Sequence, residues 1–290
     1  MRGIHVFLNA ERGLAVVRSL VDAGHGIDAV HVPPGRLAAL AQACSPGLAV
    51  EAVAEVNDPA FVAGLAARRP ELLLIAGYSQ IFKDPLLAVA RLGAINLHGG
   101  LLPQYRGGSP LNWQIINGET TAGVSVIRAD RGIDTGPVLA EGMVAIGPDD
   151  TIGDLHDRAN ALFPGLVLEA LAGLERGERG RLQDEAEAVY WHQRNDDDGR
   201  IDWAGMTACQ VHDLVRAVTR PYPGAFCWLE GHRLRIFRTS LPPLTVRGVP
   251  GRICHLQGLG PLVVCRDRAL LVEDYAGAEG RALRHGQRLS

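Results

Sequence analysis

The chain has 290 residues, 47% of them apolar and 21% charged, with a formal net charge of −3 and a sequence pI near 6.4. That length supports one large domain and one small one, each with its own core. The acidic balance lacks the basic stripe, or the pI above about 9, of a protein built around a large nucleic-acid footprint, and no apolar run approaches the length of about 20 residues needed to span a bilayer. The opening run Ile4-His5-Val6-Phe7-Leu8 meets Asn9 and Glu11 too soon for a signal peptide, so a soluble, cytoplasmic protein is expected. Cys44, Cys209, Cys227, Cys254 and Cys265 form no C-x-x-C pair, and an odd count suits reduced thiols better than a disulfide framework.

Strand-like and helix-like segments alternate through the first half. Gly3 to Leu8 reads as a buried strand, and Glu11 to Ala23 has apolar residues at helical spacing before Gly24 stops it. Asp28 to Val32 is a second strand, and Leu37 to Ala43 a short helix. Asp58 to Arg68 is a further helix, with Asp58 as N-cap and Pro59 at its first position. Glu71 to Ala76 is a continuous apolar strand of the kind found inside parallel sheets. Asp84 to Ala90 is read as a helix and Ala94 to Leu97 as the next strand. The rhythm implies an α/β fold, a doubly wound, Rossmann-like parallel sheet, whose ligands bind beyond the carboxyl ends of the strands. The loops after Ile75 and Ile95 are singled out thereby. The first βα turn, Phe7 to Gly13, lacks G-x-G-x-x-G, and the chain has no P-loop motif, so neither signal for a dinucleotide or a nucleoside triphosphate is present.

Val124 to Ile127 and Val138 to Ile146 read as strands around a Gly/Asp-rich loop. Thr151 to Leu174 is a long helical segment, interrupted by Pro164-Gly165, with Thr151 as N-cap and Asp154 in a weak capping box. Glu175 to Gly199 is polar and reads as the connection between domains, placing a catalytic domain at residues 1–190 and a second domain at 200–290. After the amphipathic helix Met206 to Val218 come short β-like runs: Ala225 to Leu229, Leu234 to Phe237, Gly251 to Leu256, Leu262 to Cys265 and Ala269 to Val272. They predict a small, mostly β domain, an OB-like barrel or sheet.

Two segments carry chemistry. Asn96-Leu97-His98-Gly99-Gly100-Leu101-Leu102-Pro103-Gln104-Tyr105-Arg106-Gly107 follows a buried strand, and Asn96 and His98, two apart in extended backbone, share a face. Asp130 to Pro137 is a loop with two carboxylates and two glycines. Taken singly, each has a plainer reading: a structural histidine, an asparagine capping a turn, an aspartate doing the same for Thr135-Gly136.

Together, in this order, they strongly resemble the 10-formyltetrahydrofolate-dependent formyltransferase family. The resemblance extends over nearly the whole chain, through Leu214 to Val218 and Pro221-Tyr222-Pro223-Gly224-Ala225-Phe226. It implies a catalytic trio of Asn96, His98 and Asp134, the last in a D-x-G-x-D-T-G loop. It also implies a folate pocket lined around Tyr78, Ile81, Leu102 and Ile133, and an acceptor side near Arg106 and Trp113. For Arg106 a structural role on loop carbonyls weighs equally, and for Trp113 helix packing is the plainer role. One departure stands out: many members follow the histidine with Pro-Ser or Gly-Ser, where this chain has Gly99-Gly100 and so lacks a hydroxyl. The chemistry suits the residue types, since an amide and an imidazole N–H can face the oxyanion formed when an amine attacks a formyl carbon. The co-substrate implied is 10-formyltetrahydrofolate, with no metal, and His98 is expected within about 4 Å of an Asp134 oxygen.

The resemblance leaves several acceptors: the amino sugar of a nucleotide-linked sugar, the methionyl group on initiator tRNA, hydroxyornithine, or glycinamide ribonucleotide. Members acting on tRNA carry a basic insertion after the second strand, whereas Arg36 is the only charged residue between Pro33 and Val50. Gly108 to Trp113 and Asp197 to Trp203 look most like the formyltransferase half of the enzyme that formylates UDP-4-amino-4-deoxyarabinose. The sequence therefore points to a sugar-nucleotide N-formyltransferase with small-molecule partners, no nucleic acid and no membrane, and it allows a homodimer. A folate-binding regulatory relative with a dead site is the non-enzymatic alternative. Asp196-Asp197-Asp198 reads as a solvated turn.

Overall fold

The computed structural model describes residues 1–9, 11–277, 280 and 282–290; Ala10, in the first βα turn, lies outside them. Contacts gather the chain into two compact units, one of residues 1–107, 123–143 and 158–190, the other of residues 108–122, 144–157 and 191–290.

The first unit is built on strands Ile4–Leu8 (β1), Ile27–Val32 (β2), Val50–Ala52 (β3), Leu72–Ala76 (β4) and Ala94–His98 (β5). They lie in the order β3-β2-β1-β4-β5 and all run parallel. Helices Glu11–Asp22 (α1), Leu37–Ala43 (α2), Pro59–Ala67 (α3) and Asp84–Leu87 (α4) alternate with them. The doubly wound sheet is thus present, and its strand order reverses between β1 and β4. Beyond β5, after the short strand Arg106–Gly107 (β6) and helix Pro110–Ile116 (α5), the sheet continues through Thr121–Ala129 (β7) and Val138–Ala145 (β8). Strand β7 runs antiparallel to β5.

Local chemistry explains most boundaries. All five residues of β4 are buried, which its unbroken apolar run requires at the middle of a sheet. Asp58 caps α3 by accepting from the Ala60 and Phe61 amides, with Pro59 at the first helical position. Helix α4 stops at Leu87, short of the expected Ala90, because the chain turns back so that Arg91 and Leu92 donate to the carbonyls of Pro70 and Glu71. The long helix Ile152–Glu175 (α6) runs unbroken through Pro164, where an interruption was expected. A mid-helix proline costs about 3 kcal/mol, but Ala159, Phe163, Val167, Ala170, Leu171 and Leu174 form one buried stripe that outweighs it.

The short strand Tyr190–Trp191 (β9) falls where the chain passes from the first unit to the second, and in the second Ala208–Val218 (α7) begins with a full capping box between Thr207 and Gln210. Strands Ala225–Leu229 (β10), His232–Ser240 (β11), Ile253–Leu256 (β12), Gly260–Val264 (β13) and Ala269–Gly277 (β14) form an antiparallel sheet in the order β10-β11-β14-β13-β12. Among the described residues no helix is long and apolar enough to cross a membrane.

In the core of the first unit the buried His5 and His31 pair with each other. His5 Nδ1 and His31 Nε2 are 2.9 Å apart and share one proton-bearing hydrogen bond, and the His31 ring stacks on Phe7. Burial, then the neighbouring His5, pulls the His31 pKa down to about 4. A folded-state value below the unfolded 6.5 means that the unfolded chain takes up the proton first. Stability should therefore fall as pH drops from about 6.5 to about 4, by on the order of 3 kcal/mol for this group, and then level off. Urea unfolding at several pH values in that window, compared with His31→Gln, measures this; equal pH slopes for the two proteins would refute it.

Candidate active site

Strand β5 delivers Asn96 and His98 to its carboxyl end, with Asn96 in register with Ile75 on β4 and Ile127 on β7. Their spacing of two puts both side chains on one face. His98 is buried, and its Nε2 lies 2.6 Å from the carbonyl oxygen of Tyr105. A carbonyl only accepts, so Nε2 carries the proton. Nδ1 is left facing Oδ2 of Asp134 at 3.4 Å, an ion-pair distance once the ring is protonated. The Asn96 side chain makes no hydrogen bond to the protein among the described residues, so its amide N–H remains available.

Asp134 stands in the loop between β7 and β8 with φ of 55°, a left-handed conformation that aspartate tolerates better than most residues. Its Oδ2 accepts from the Gly107 amide at 2.9 Å. The loop's other carboxylate has a different task. Asp130 accepts from the Gly132 amide and from the Thr135 hydroxyl, closing the loop on itself and leaving Asp134 for His98.

Gly99-Gly100 acquires a physical reason here. A Cβ at Gly100 would sit 2.6 Å from the Tyr105 oxygen and 2.7 Å from His98 Nε2. The missing side chain is what lets ring and carbonyl meet. The Gly100 carbonyl is itself held by the Ser125 hydroxyl at 2.9 Å.

The remaining expected residues are placed as follows. Ile81 and Ile133 are large apolar side chains left 72% and 56% exposed, the first in the loop after β4 and the second in the Asp134 loop. Tyr78 turns inward: its hydroxyl donates to the Val53 carbonyl, its ring packs edge-on against Phe7 and Phe82, and burial raises its pKa. Leu102 is buried in a cluster with Ile127 and Val138. The Arg106 guanidinium is fully engaged by protein groups. Nε donates to Gln183 Oε1 at 2.9 Å, both terminal nitrogens donate to Glu185, and one also reaches the Tyr190 hydroxyl. That is the structural alternative weighed for this residue, met by side chains rather than loop carbonyls. In the second unit, Trp113 donates from Nε1 to the His192 carbonyl at 3.1 Å, lies against Trp191, and is covered by the Arg194 guanidinium. Asp196 is bound by Arg233 and Arg235. Among the described residues no group of three metal-ligating side chains comes together. Sequence reasoning missed Tyr105, Gly107 and Gln183 because two of them act through backbone atoms and the third lies in a stretch read as a linker.

Comparison with known proteins shows the family. A sequence model of the formyl transferase family matches residues 31–171, and one of the formyl transferase C-terminal domain matches residues 194–287. The methionyl-tRNA formyltransferase of Pseudomonas putida (strain W619) is 37% identical over 279 residues, covering 92% of this chain and 88% of that protein. Among solved structures, an N-formyltransferase from Helicobacter canadensis in complex with folinic acid and dTDP-3-aminofucose superposes with a TM-score of 0.71 at 15% identity, over 95% of this chain and 100% of that one. Methionyl-tRNA formyltransferase from Clostridium thermocellum superposes with a TM-score of 0.60 at 18% identity, over 83% and 94%. The two structures share the fold with this chain.

Substituting Gly100→Ala should push the His98 ring off the Tyr105 carbonyl while leaving the fold intact. A displacement of that size costs about 100-fold in turnover. A Gly100→Ala protein with an unchanged melting profile and wild-type formyl transfer would show that the His98–Tyr105 contact is dispensable.

Proposed function

The chain belongs to the formyl transferase family and is an enzyme of folate-dependent formyl transfer, and within that family we propose that its acceptor is the primary amine of a nucleotide-linked amino sugar. The observation that carries this reading is the segment after β2. Residues 33–50 hold one short turn and the uncharged helix α2, and Arg36 is their only charged residue. Its Nε donates to the carbonyl of Asn9 at 3.2 Å. A tRNA acceptor needs several phosphate partners, and this segment offers one cation, already tied to the backbone. The second reading is initiator tRNA, favoured by the 37% identity to a methionyl-tRNA formyltransferase.

The reduced folate, when bound, supplies an activated formyl group whose carbonyl carbon is the electrophile. The apolar faces of Ile81 and Ile133, exposed at the carboxyl edge of the sheet, suit its flat ring. Asn96 then donates its free amide N–H to the formyl oxygen as negative charge gathers there, a contribution of about 3–4 kcal/mol for one good donor. His98 cannot share that task through Nε2, whose proton is held on Tyr105. Its role is at Nδ1, which accepts the proton lost by the attacking amine. The ring becomes an imidazolium with Nε2–H on Tyr105 and Nδ1–H on Asp134. Asp134 offsets that charge in a site largely closed to water. Returning the proton to the departing folate nitrogen completes the transfer.

Two measurements test this reading. His98→Asn should lower kcat at least about 100-fold. For the acceptor, TDP- and UDP-linked amino sugars and charged initiator tRNA are assayed at 50 and 200 mM salt. Turnover of an amino sugar with modest salt dependence is expected, because one pyrophosphate releases few counterions. Formylation of methionyl-tRNA alone, falling by about 10³-fold or more across that range as for six or more phosphate contacts, would overturn the sugar and leave formyl transfer standing.

A further inference from the structure

Gln183 lies in the polar stretch that leaves α6, and both ends of its amide are committed. Nε2 donates to the carbonyls of Asp134 at 2.8 Å and Gly136 at 2.7 Å. Oε1 accepts from Arg106 Nε at 2.9 Å. Arg106 is in turn fixed by Glu185 and Tyr190, and its backbone N–H donates to the Val189 carbonyl. The side chain of Arg106 is fully buried while Glu185 is 70% exposed. An arginine so buried, with a surface carboxylate and a glutamine as partners, serves to hold the segment rather than to bind solvent-borne ligands.

We propose that Gln183 is a positioning residue for Asp134, clamping the carbonyls on either side of Thr135 so that the Asp134 carboxylate stays in its left-handed backbone setting and faces His98 Nδ1. This rests on the reading of Asp134 given under the proposed function. The loop needs such a clamp. Asp130 ties it from inside, through the Gly132 amide and the Thr135 hydroxyl, and leaves the carbonyls of residues 134 and 136 to another donor. Asp134 has φ of 55°, a region that non-glycine residues hold only when neighbours enforce it. Gly136 is pressed so close to the Arg128 carbonyl that a Cβ there would overlap it. The backbone carbonyls at 134 and 136 are where an outside donor can fix the turn, and one amide NH₂ supplies both bonds. Nothing in this arrangement requires Gln183 to touch the reacting atoms.

A purely structural role would be to glue the 181–190 segment in place, and two variants separate the roles. Gln183→Glu keeps the shape and the acceptor for Arg106 but removes both donors to the loop, whereas Gln183→Leu removes everything. Each should lower kcat at least about tenfold, with KM for folate and acceptor changed by less than about twofold. The decisive readout is a double-mutant cycle. In an Asp134→Asn background, single-turnover rates should fall by less than about twofold more when Gln183→Leu is added, because the clamp acts through that carboxylate. Wild-type kcat in Gln183→Glu, or the same fold loss from Gln183→Leu in both backgrounds, would overturn the proposal. Full turnover in Asp134→Asn alone would instead overturn the reading of Asp134 on which the clamp depends. Should Gln183→Leu fail to fold, Gln183→Glu carries the same cycle.

Discussion

The candidate site depends on one hydrogen bond, His98 Nε2–H to the carbonyl of Tyr105 at 2.6 Å. It fixes which nitrogen keeps its proton and therefore which one can do chemistry. In many His–carboxylate pairs the carboxylate orients the ring. Here a loop carbonyl does so, and Asp134 is left to face the other nitrogen. The consequence is a division of labour. The unprotonated nitrogen of the ring and the Asp134 carboxylate face each other, and Asn96, whose side chain makes no hydrogen bond among the described residues, stands on the same strand two residues back. The bond in turn depends on an absent side chain at position 100 and on the turn in which the Tyr105 amide donates to Leu101.

Much of this fold was legible in the sequence because its strongest signals are hydrophobic and local. The unbroken run of β4 and the Asp58-Pro59 start of α3 can be read from residue types alone. What failed was decided by partners distant in sequence. Helix α4 ends where Pro70 and Glu71 compete for the next amides, and α6 survives Pro164 because its buried stripe outweighs one lost hydrogen bond. Strand β3 was missed because Val50 and Glu51 are only half-buried, Ala52 is exposed, and three residues carry no apolar pattern.

The site divides the same way. Asn96, His98 and Asp134 can be picked out by motif, since the proposed chemistry acts through their side chains. Gly100 was read as the loss of a hydroxyl, when the structure gives it a steric purpose. Tyr105 and Gly107 contribute a carbonyl and an amide, which any residue would supply, so composition carries no trace of them. Arg106 could be read either way from sequence, and only its four side-chain hydrogen bonds to Gln183, Glu185 and Tyr190 distinguish the roles.

The two halves of the site differ in how firmly they are held. Asn96 and His98 ride on a strand flanked on both sides by hydrogen-bonded neighbours, and a strand in the middle of a sheet has few ways to move. Asp134 rides on a loop, where a displacement of an ångström is enough to spoil a proton transfer. A loop can be made as exact as a strand only by tying its backbone from more than one direction. Asp130 supplies a tie from inside the loop, the Gly107 amide holds the carboxylate itself, and Gln183 reaches the backbone from outside. The polar stretch after α6, whose composition suggests a mere connection, thus sends Gln183 to the loop carbonyls and Glu185 to Arg106. Arg106 needs a carboxylate from Glu185 because its burial strips it of water, and the Glu185 hydrogen bond keeps its pKa high against that burial.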